Sequence, residues 1–467
     1  MARYFRSYTP EQPHLLPPAP QDWLSEDHLA YAVRDVVQEL DLAAFYDAYS
    51  RERGAPGFDP EMLVCLLLYA WCHQVYSSRK IARLCRDDLG GRFLAAGHTP
   101  DHRCINAFRL RHGEALTALF LQSVRLCQQA GMVSLVHLAV DGTKVAANAS
   151  KHKAMSYGRM QEEEGRLTTE IRKMLQRAAA EDAQEDQEHG PEAPGSLFTE
   201  EIARRESRLE KLREAKAALE AQVREAAAKK KEEREAKERE RAAAGKRQLG
   251  GKKPPDPETV KPKDKAQRNF VDPESRIMKG GDGAFIQGYN GQAAVDADHQ
   301  VITACDLTDQ AADAPHLQAL IAQSAVNTGC HPDTCLGDPG YFSADNVTAL
   351  EGAGIDVLIP PDRQRHGTPA DPATPLPPDV LETLSVVERM RHQTSTAAGR
   401  AGYANRKKTV EPTFGQIKGC PGHPGFRQFL RRGLQKCKQE WHWVCAAHNF
   451  LKYMRSARTC AGSAMPG

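Results

Sequence analysis

The sequence predicts a mixed α/β protein: an all-α region first, then a sheet domain that a charged helical insertion interrupts. Three observations predict it. Apolar residues recur at helical spacing through residues 21–131. Strand-like runs appear at V-H-L-A-V (136–140) and return at 284–308. Between them, residues 155–250 are rich in Glu, Lys, Arg and Ala, with almost no aromatics.

The chain has 467 residues, room for about three domains at roughly 150 residues each. A mean hydropathy of −0.57 excludes a polytopic membrane protein. The longest apolar stretch, Met62 to Cys72, falls well short of the roughly 20 residues that span a bilayer. The first residues lack the apolar centre of an export signal. Twelve cysteines without a C-x-x-C suggest neither a disulfide framework nor a zinc ribbon. A cytoplasmic protein with reduced thiols is expected. The net charge of +2 conceals local blocks: Arg400 to Arg458 holds 13 Lys/Arg against two acids, Glu411 and Glu440.

Taken in order, residues 1–20 read as a proline-rich arm. In the helical region (21–131), Leu63, Leu66, Leu67, Ala70 and Trp71 share one face. A second helix, Ser78 to Leu89, turns Ile81 and Leu84 inward and Arg79, Lys80, Arg83 and Arg86 mostly outward. A third opens at Thr99-Pro100, with Ile105 and Phe108 apolar and Arg103, Arg109 and Arg111 basic. Helix, loop and basic helix resemble a helix-turn-helix that binds DNA; a plain helical domain with a solvated basic face is the alternative. In the insertion (151–275), Leu167, Ile171 and Met174 fit a heptad seam, as do Ile202, Leu209, Leu212, Leu219 and Val223. With turn residues at E-H-G-P-E-A-P-G-S between them, an antiparallel coiled-coil hairpin follows. The remaining segments, 132–150 and 276–458, alternate strand, strand, strand, helix, strand, helix, strand, helix. That order matches an RNase-H-like fold.

Asp141 and Asp338 each end a short apolar strand, and Glu411 lies on the basic final helices. Alone, D-G and D-P-G are ordinary turn sequences, and Glu411 four residues after Lys407 is an ordinary helix pair. Together they carry more. The first and fourth strands of such a sheet are neighbours, so Asp141 and Asp338 would face each other, and a helix carboxylate can complete the site. Three carboxylates need a counter-ion, and divalent cations with oxygen ligands supply it. Two Mg²⁺ (or Mn²⁺) ions suit in-line phosphoryl transfer. Asp296, Asp306, Asp309 and Asp313 compete for the second position; turns and helix caps account for Asp296, Asp309 and Asp313. His442, Cys445 and His448 read more simply as a core helix than as zinc ligands. Arg427, Arg431 and Arg432 read as phosphate contacts. No phosphate-binding glycine loop is present, so no nucleotide cofactor is expected.

The motifs S-S-R-K-I-A-R-L-C-R-D-D, P-D-H-R-C-I-N-A-F-R-L-R-H, V-D-G-T-K-V-A-A-N-A-S, D-P-E-S-R-I-M-K, G-Y-N-G-Q-A-A-V-D, G-D-P-G-Y and V-E-P-T-F-G-Q-I-K occur in this order along nearly the whole chain. In that arrangement the chain resembles the DDE transposases of bacterial insertion sequences, in particular the group numbered eleven eighty-two within the four/five-like superfamily. The resemblance implies divalent-metal strand cleavage and joining, with Asp141, Asp338 and Glu411 as the D, D and E. It implies a helical N-terminal region acting on the element's DNA ends in a bacterial cytoplasm, at the nucleoid. Related transposases carry Tyr, Arg, Glu and Lys at set spacings on the last helix. Tyr403, Arg406, Glu411 and Lys418 follow that pattern, except that Lys407 rather than Arg406 has the expected spacing to Glu411. Pro412 predicts a helix start or kink there. The partners expected are terminal inverted repeats, target DNA and a second copy of the chain, since two ends must be cut together. A metal-dependent nuclease that does not join, or a non-catalytic DNA-binding scaffold, are the rival readings.

Overall fold

A computed structural model gives the fold and describes residues 20–49, 57–189, 198–243, 245, 247, 250, 253–281, 283–362, 371–419 and 425–463. Almost all of the expected proline-rich arm, and most of the expected hairpin turn, lie outside these residues. The chain forms two compact units. One gathers the chain up to Val145, Asn290–Arg431 and the chain from Gln435; the other comprises Ala146–Tyr289 and Arg432–Leu434.

The first unit opens with α1 (Leu29–Gln38), α2 (Ala43–Tyr46), α3 (Pro60–Cys72), α4 (Ser78–Asp87), α5 (Leu89–Leu94), α6 (His102–Arg111) and α7 (Gly113–Gln129). The expected single apolar face of α3 is too narrow a description. Every residue from Leu63 to Trp71 is buried, so the helix is apolar all round and lies within its domain's core. Helix α6 starts later than Thr99-Pro100 predicts, because the Asp101 carboxylate accepts the Arg103 N–H at 2.7 Å and caps it there.

Strand β1 (His137–Ala146) follows. Next come β2 (Ala154–Ser156), α8 (Tyr157–His189), α9 (Phe198–Ala243), β3 (Gln267–Asn269) and β4 (Arg276–Lys279). The chain continues through β5 (Phe285–Asp296), β6 (Ile302–Thr308), α10 (Leu317–Thr328), β7 (Thr334–Gly337), α11 (Ala344–Gly352) and β8 (Asp356–Leu358). It ends with α12 (Pro378–Thr383), α13 (Val386–Ser395), α14 (Ala397–Lys418) and α15 (Leu434–Ser463). Among the described residues, no helix is long and apolar enough to cross a membrane.

In the first unit the strands lie in the order β6-β5-β1-β7-β8. β5 and β6 are antiparallel; β1, β7 and β8 run parallel. Side-chain alternation gives the sheet two buried faces. Leu138, Val140, Ala294, Ala304 and Val357 pack with Leu320, Ile321, Val347, Leu350 and Met390, from α10, α11 and α13. On the opposite face Gly291 lies under Trp441 of α15, so closely that a Cβ would sit 2.9 Å from the indole ring. The Trp441 indole N–H donates to the Gln292 carbonyl at 3.1 Å.

His448 of α15 is buried, and its Nε2 lies 2.9 Å from the Gln300 carbonyl. Burial pushes its pKa down to about 4 despite that bond. A depressed imidazole contributes stability that is present above its unfolded value near 6.5 and is lost as pH falls toward 4. Wild type is therefore expected to lose roughly 3 kcal/mol more than His448→Gln between pH 7 and pH 4. Urea unfolding at the two pH values measures this, and parallel losses would disprove it.

In the second unit α8 and α9 pack antiparallel: Tyr157 bonds Glu220, Glu164 pairs with Arg213 and Lys216, and Glu170 pairs with Arg205. Leu167, Ile171 and Leu209 form one apolar cluster, and Tyr157, Met160, Leu212, Ala215 and Leu219 another. Because α8 and α9 largely cover each other's apolar residues, replacing residues 160–245 with a short flexible linker is expected to leave a cooperatively folding protein. Loss of a cooperative thermal transition would show that the hairpin belongs to the folding core.

Candidate active site

Apolar runs at Leu138–Val140 and Cys335–Leu336 bury β1 and β7 side by side, with Val140 paired to Gly337. The next residue on each strand is an aspartate, so Asp141 and Asp338 stand together where the two parallel strands end their pairing. D-G at 141–142 is not the turn its sequence suggests; it lies within β1, which continues to Ala146. D-P-G at 338–340 does turn: the Asp338 carboxylate accepts the Gly340 N–H at 2.9 Å and caps a single 3₁₀ turn, Pro339–Tyr341.

Burial pushes the Asp141 carboxyl up to about 6; Arg406 draws it back, while the charges of Asp338 and Asp313 add to the rise. Arg406 Nη2 lies 3.0 Å from Asp141 Oδ2. The Gly142 N–H donates to Asp141 Oδ1 at 2.8 Å. Arg406 Nε is buried without a hydrogen-bond partner.

Helix α14 runs unbroken through Pro412, so the helix start expected there is not found. Proline removes the N–H that would bond the Lys408 carbonyl, and Gln300 Nε2 supplies the missing donor at 3.0 Å. An unbroken helix fixes which side chains face β1. Arg406 is buried against Asp141, while Lys407 is exposed. Glu411 is exposed too, about 140° around the helix from Arg406. Lys418 points within about 20° of Glu411, and its Nζ reaches the Lys144 carbonyl of β1 at 2.8 Å. Glu411 thus shares an exposed side of α14 with Lys418. Among the described residues it makes neither an ion pair with Lys407 nor a bond to either aspartate.

The rival aspartates separate clearly. Asp296 is buried and accepts the N–H groups of Ser134, Leu135 and Asp298, the turn role expected of it. Asp306 pairs with Lys438 at 2.6 Å. Asp313 is not the helix cap that the sequence suggests: its side chain makes no cap bond. Its Oδ1 instead accepts from Asn290 at 2.7 Å, Gln292 at 2.8 Å and Lys144 at 3.3 Å, beside Asp141. Sequence reasoning missed this because the link is topological. β6 is antiparallel to β5, which returns the chain to Asn290 before Asp313 is reached.

Of the expected DNA contacts, Arg79, Arg83 and Arg103 are exposed. Arg79, Arg83 and Arg86 line one concavity with His102, between α4 and α6. Arg109 requires correction. It is 6% exposed, 3.1 Å from Glu440, bonded to the Tyr76 carbonyl and stacked over Trp71. A guanidinium so enclosed has no face left for a phosphate. Arg427 is exposed, with bonds to the carbonyls of Lys418 and Gly419. Arg431 is half-buried against Gln439. Arg432, in the second unit, is exposed and bonds the Asn148 carbonyl. His442 and His448 take the carbonyls of Lys438 and Gln300, as core histidines do, and Cys445 is buried. Among the described residues, no three His, Cys, Asp or Glu side chains gather closely enough to hold a metal ion by themselves.

Comparison with known families extends the geometry. Residues 256–450 match a family described as a transposase DDE domain. Residues 19–111 match a second family, described as a transposase domain. No curated protein and no solved structure matches the chain. Asp338 and Glu411 fall inside the first match. Asp141 falls between the two matches, and β1–β7 pairing is what brings it to Asp338. Both matches are to transposase families, they lie in the order helical region then sheet, and together they span well over half of the sequence; the chain is an insertion-sequence DDE transposase, an enzyme that acts on DNA.

Proposed function

We propose that the chain cleaves DNA at the ends of an insertion sequence of the eleven eighty-two group and joins the freed ends to target DNA. The catalytic domain is RNase-H-like and comprises residues 132–150 and 276–458. A coiled-coil insertion interrupts it at 151–275. The strand order β6-β5-β1-β7-β8, antiparallel then parallel, supports that assignment.

One observation carries the proposal: two aspartates on adjoining strand ends, one of them buried enough to be pushed up to about 6. Such a carboxylate calls for positive charge, and its oxygens suit a hard divalent cation. Asp141, Asp338 and Glu411 would hold Mg²⁺ or Mn²⁺, two ions per site, with Glu411 turning in from its exposed flank of α14. Ions held there would supply Lewis acidity at the scissile phosphate and would favour deprotonation of the attacking water or 3′-OH. Water opens the phosphodiester at the element's end, leaving a 3′-OH on one side of the cut and a 5′-phosphate on the other; the 3′-OH then attacks a target phosphodiester and displaces the target strand's own 3′-OH. Arg406, its Nε unpartnered, and Lys418 neutralise the phosphate; Lys407 meets the backbone outside the site. Arg427, Arg431 and Arg432 add phosphate contacts, and a homodimer brings two ends together.

The exposed arginines of α4 and α6 contact the terminal inverted repeats. Neutralising Arg79, Arg83 and Arg103 is expected to weaken binding to all sequences and to flatten the salt slope by about one unit per lost contact. An unchanged slope in a binding titration would retire that role.

A cleavage-and-joining assay on end DNA with Mg²⁺ tests the whole reading. Cleaved and joined products are expected. Cleavage alone would indicate a nuclease of the same fold, and binding without cleavage a scaffold.

A further inference from the structure

Asp313 belongs to no role described so far. It stands at the start of the single 3₁₀ turn Ala314–His316 without capping it. Three donors converge on its Oδ1: Asn290 and Gln292 from β5, and Lys144 from β1. Two glycines report how closely it is seated. A Cβ on Gly142, the residue after Asp141, would lie 2.7 Å from Asp313 Oδ1. A Cβ on Gly340, two residues after Asp338, would lie 3.3 Å from Asp313 Oδ2. Asp313 is therefore wedged between the two backbone segments that carry the aspartate pair.

Two orphaned polar atoms mark the same place independently of the acidic charges. Asn290 is wholly buried, yet its Oδ1 has no hydrogen-bond partner, and it would lie 3.0 Å from a Cβ on Gly142. Arg406 is nine-tenths buried; Nη2 holds Asp141 while Nε has no partner. An unmatched acceptor and an unmatched donor, both sealed from water, are costly unless a polar ligand completes them.

We propose that Asp313 is a positioning residue of the catalytic centre: wedged against Gly142 and Gly340, it fixes the separation of Asp141 and Asp338 and raises their joint affinity for a divalent cation. The inference rests on the reading of Asp141 and Asp338 as cation-holding residues. With Oδ1 occupied by three donors, Asp313 acts through its neighbours and does not itself ligate. Partners of this kind behind metal ligands change affinity by roughly 10–100-fold when removed.

The test uses full-length Asp313→Asn, which keeps the shape and an acceptor oxygen but removes the charge. Mn²⁺ binding is followed by the electron paramagnetic resonance signal of the free ion, without DNA. The expected result is an Mn²⁺ Kd raised roughly 10-fold or more, an unchanged melting temperature, and cleavage recovered in part at high Mn²⁺. Gly142→Ala, which presses on Asp313 and on the Gln292 amide that holds it without altering any charge, should move the Kd in the same direction and serves if Asp313→Asn does not fold. Wild-type Mn²⁺ affinity in both variants would overturn the proposal. So would a loss in Asp313→Asn as complete as in Asp141→Asn, since Asp313 would then be a direct ligand. Wild-type Mn²⁺ affinity in Asp141→Asn would instead overturn the underlying reading of the aspartate pair.

Discussion

Asp141→Asn and Glu411→Gln are both expected to abolish metal-dependent cleavage while leaving DNA binding intact. The expected loss is several orders of magnitude in rate, because a lost metal ligand removes several kcal/mol of transition-state stabilisation. The two variants should differ in stability. Asp141 is half-buried against Arg406, so neutralising it also strips a buried guanidinium of its partner. Glu411 is exposed and pairs with nothing among the described residues, so its variant should melt with wild type. The measurements are a strand-cleavage time course and a thermal melt on each protein. Glu411→Gln cleaving within a few-fold of wild type would remove Glu411 from the metal site; the assignment of Asp141 would stand.

Arg109→Met is expected to cost about 3–5 kcal/mol of folding stability and to leave the salt dependence of DNA binding unchanged. Removing one member of a buried ion pair strands the other. Glu440 is fully enclosed, and burial holds its pKa up even with Arg109 beside it; burial likewise holds Arg109 down. The N–H groups of Leu430 and Arg431 would remain on Glu440, at 3.1 and 3.3 Å, which limits the loss. The double variant Arg109→Met with Glu440→Gln should recover much of the stability. Urea unfolding of the three proteins measures both effects. A flattened salt slope in Arg109→Met, with stability intact, would restore Arg109 as a phosphate contact.

The sequence alone placed the strands on which Asp141 and Asp338 stand. Asp141 and Asp338 were legible because each follows a short apolar run of the kind that forms a buried strand. The α8–α9 pair was legible because Leu167, Ile171, Leu209 and Leu219 repeat at helical spacing in an otherwise charged segment. Local patterns of this kind are set by backbone geometry and by the need to bury apolar area, both of which act within a few residues.

Tertiary structure decided everything that depends on which way a side chain faces or on what lies opposite it. Pro412 sits inside a continuous helix because Gln300, far away in sequence, takes the carbonyl that proline abandons. That continuity turns Arg406 to Asp141 and leaves Lys407 and Glu411 exposed, a choice the spacing of the motif left open. Arg109 looked like its basic neighbours on α6, yet it is buried because Glu440 of α15 lies opposite it. Asp313 looked like a helix cap until antiparallel β5–β6 pairing returned it to the start of β5. In each case the deciding partner is remote along the chain, so no local periodicity records it; the energy of a buried charge or an unmatched carbonyl depends on contacts that exist only once the chain has folded.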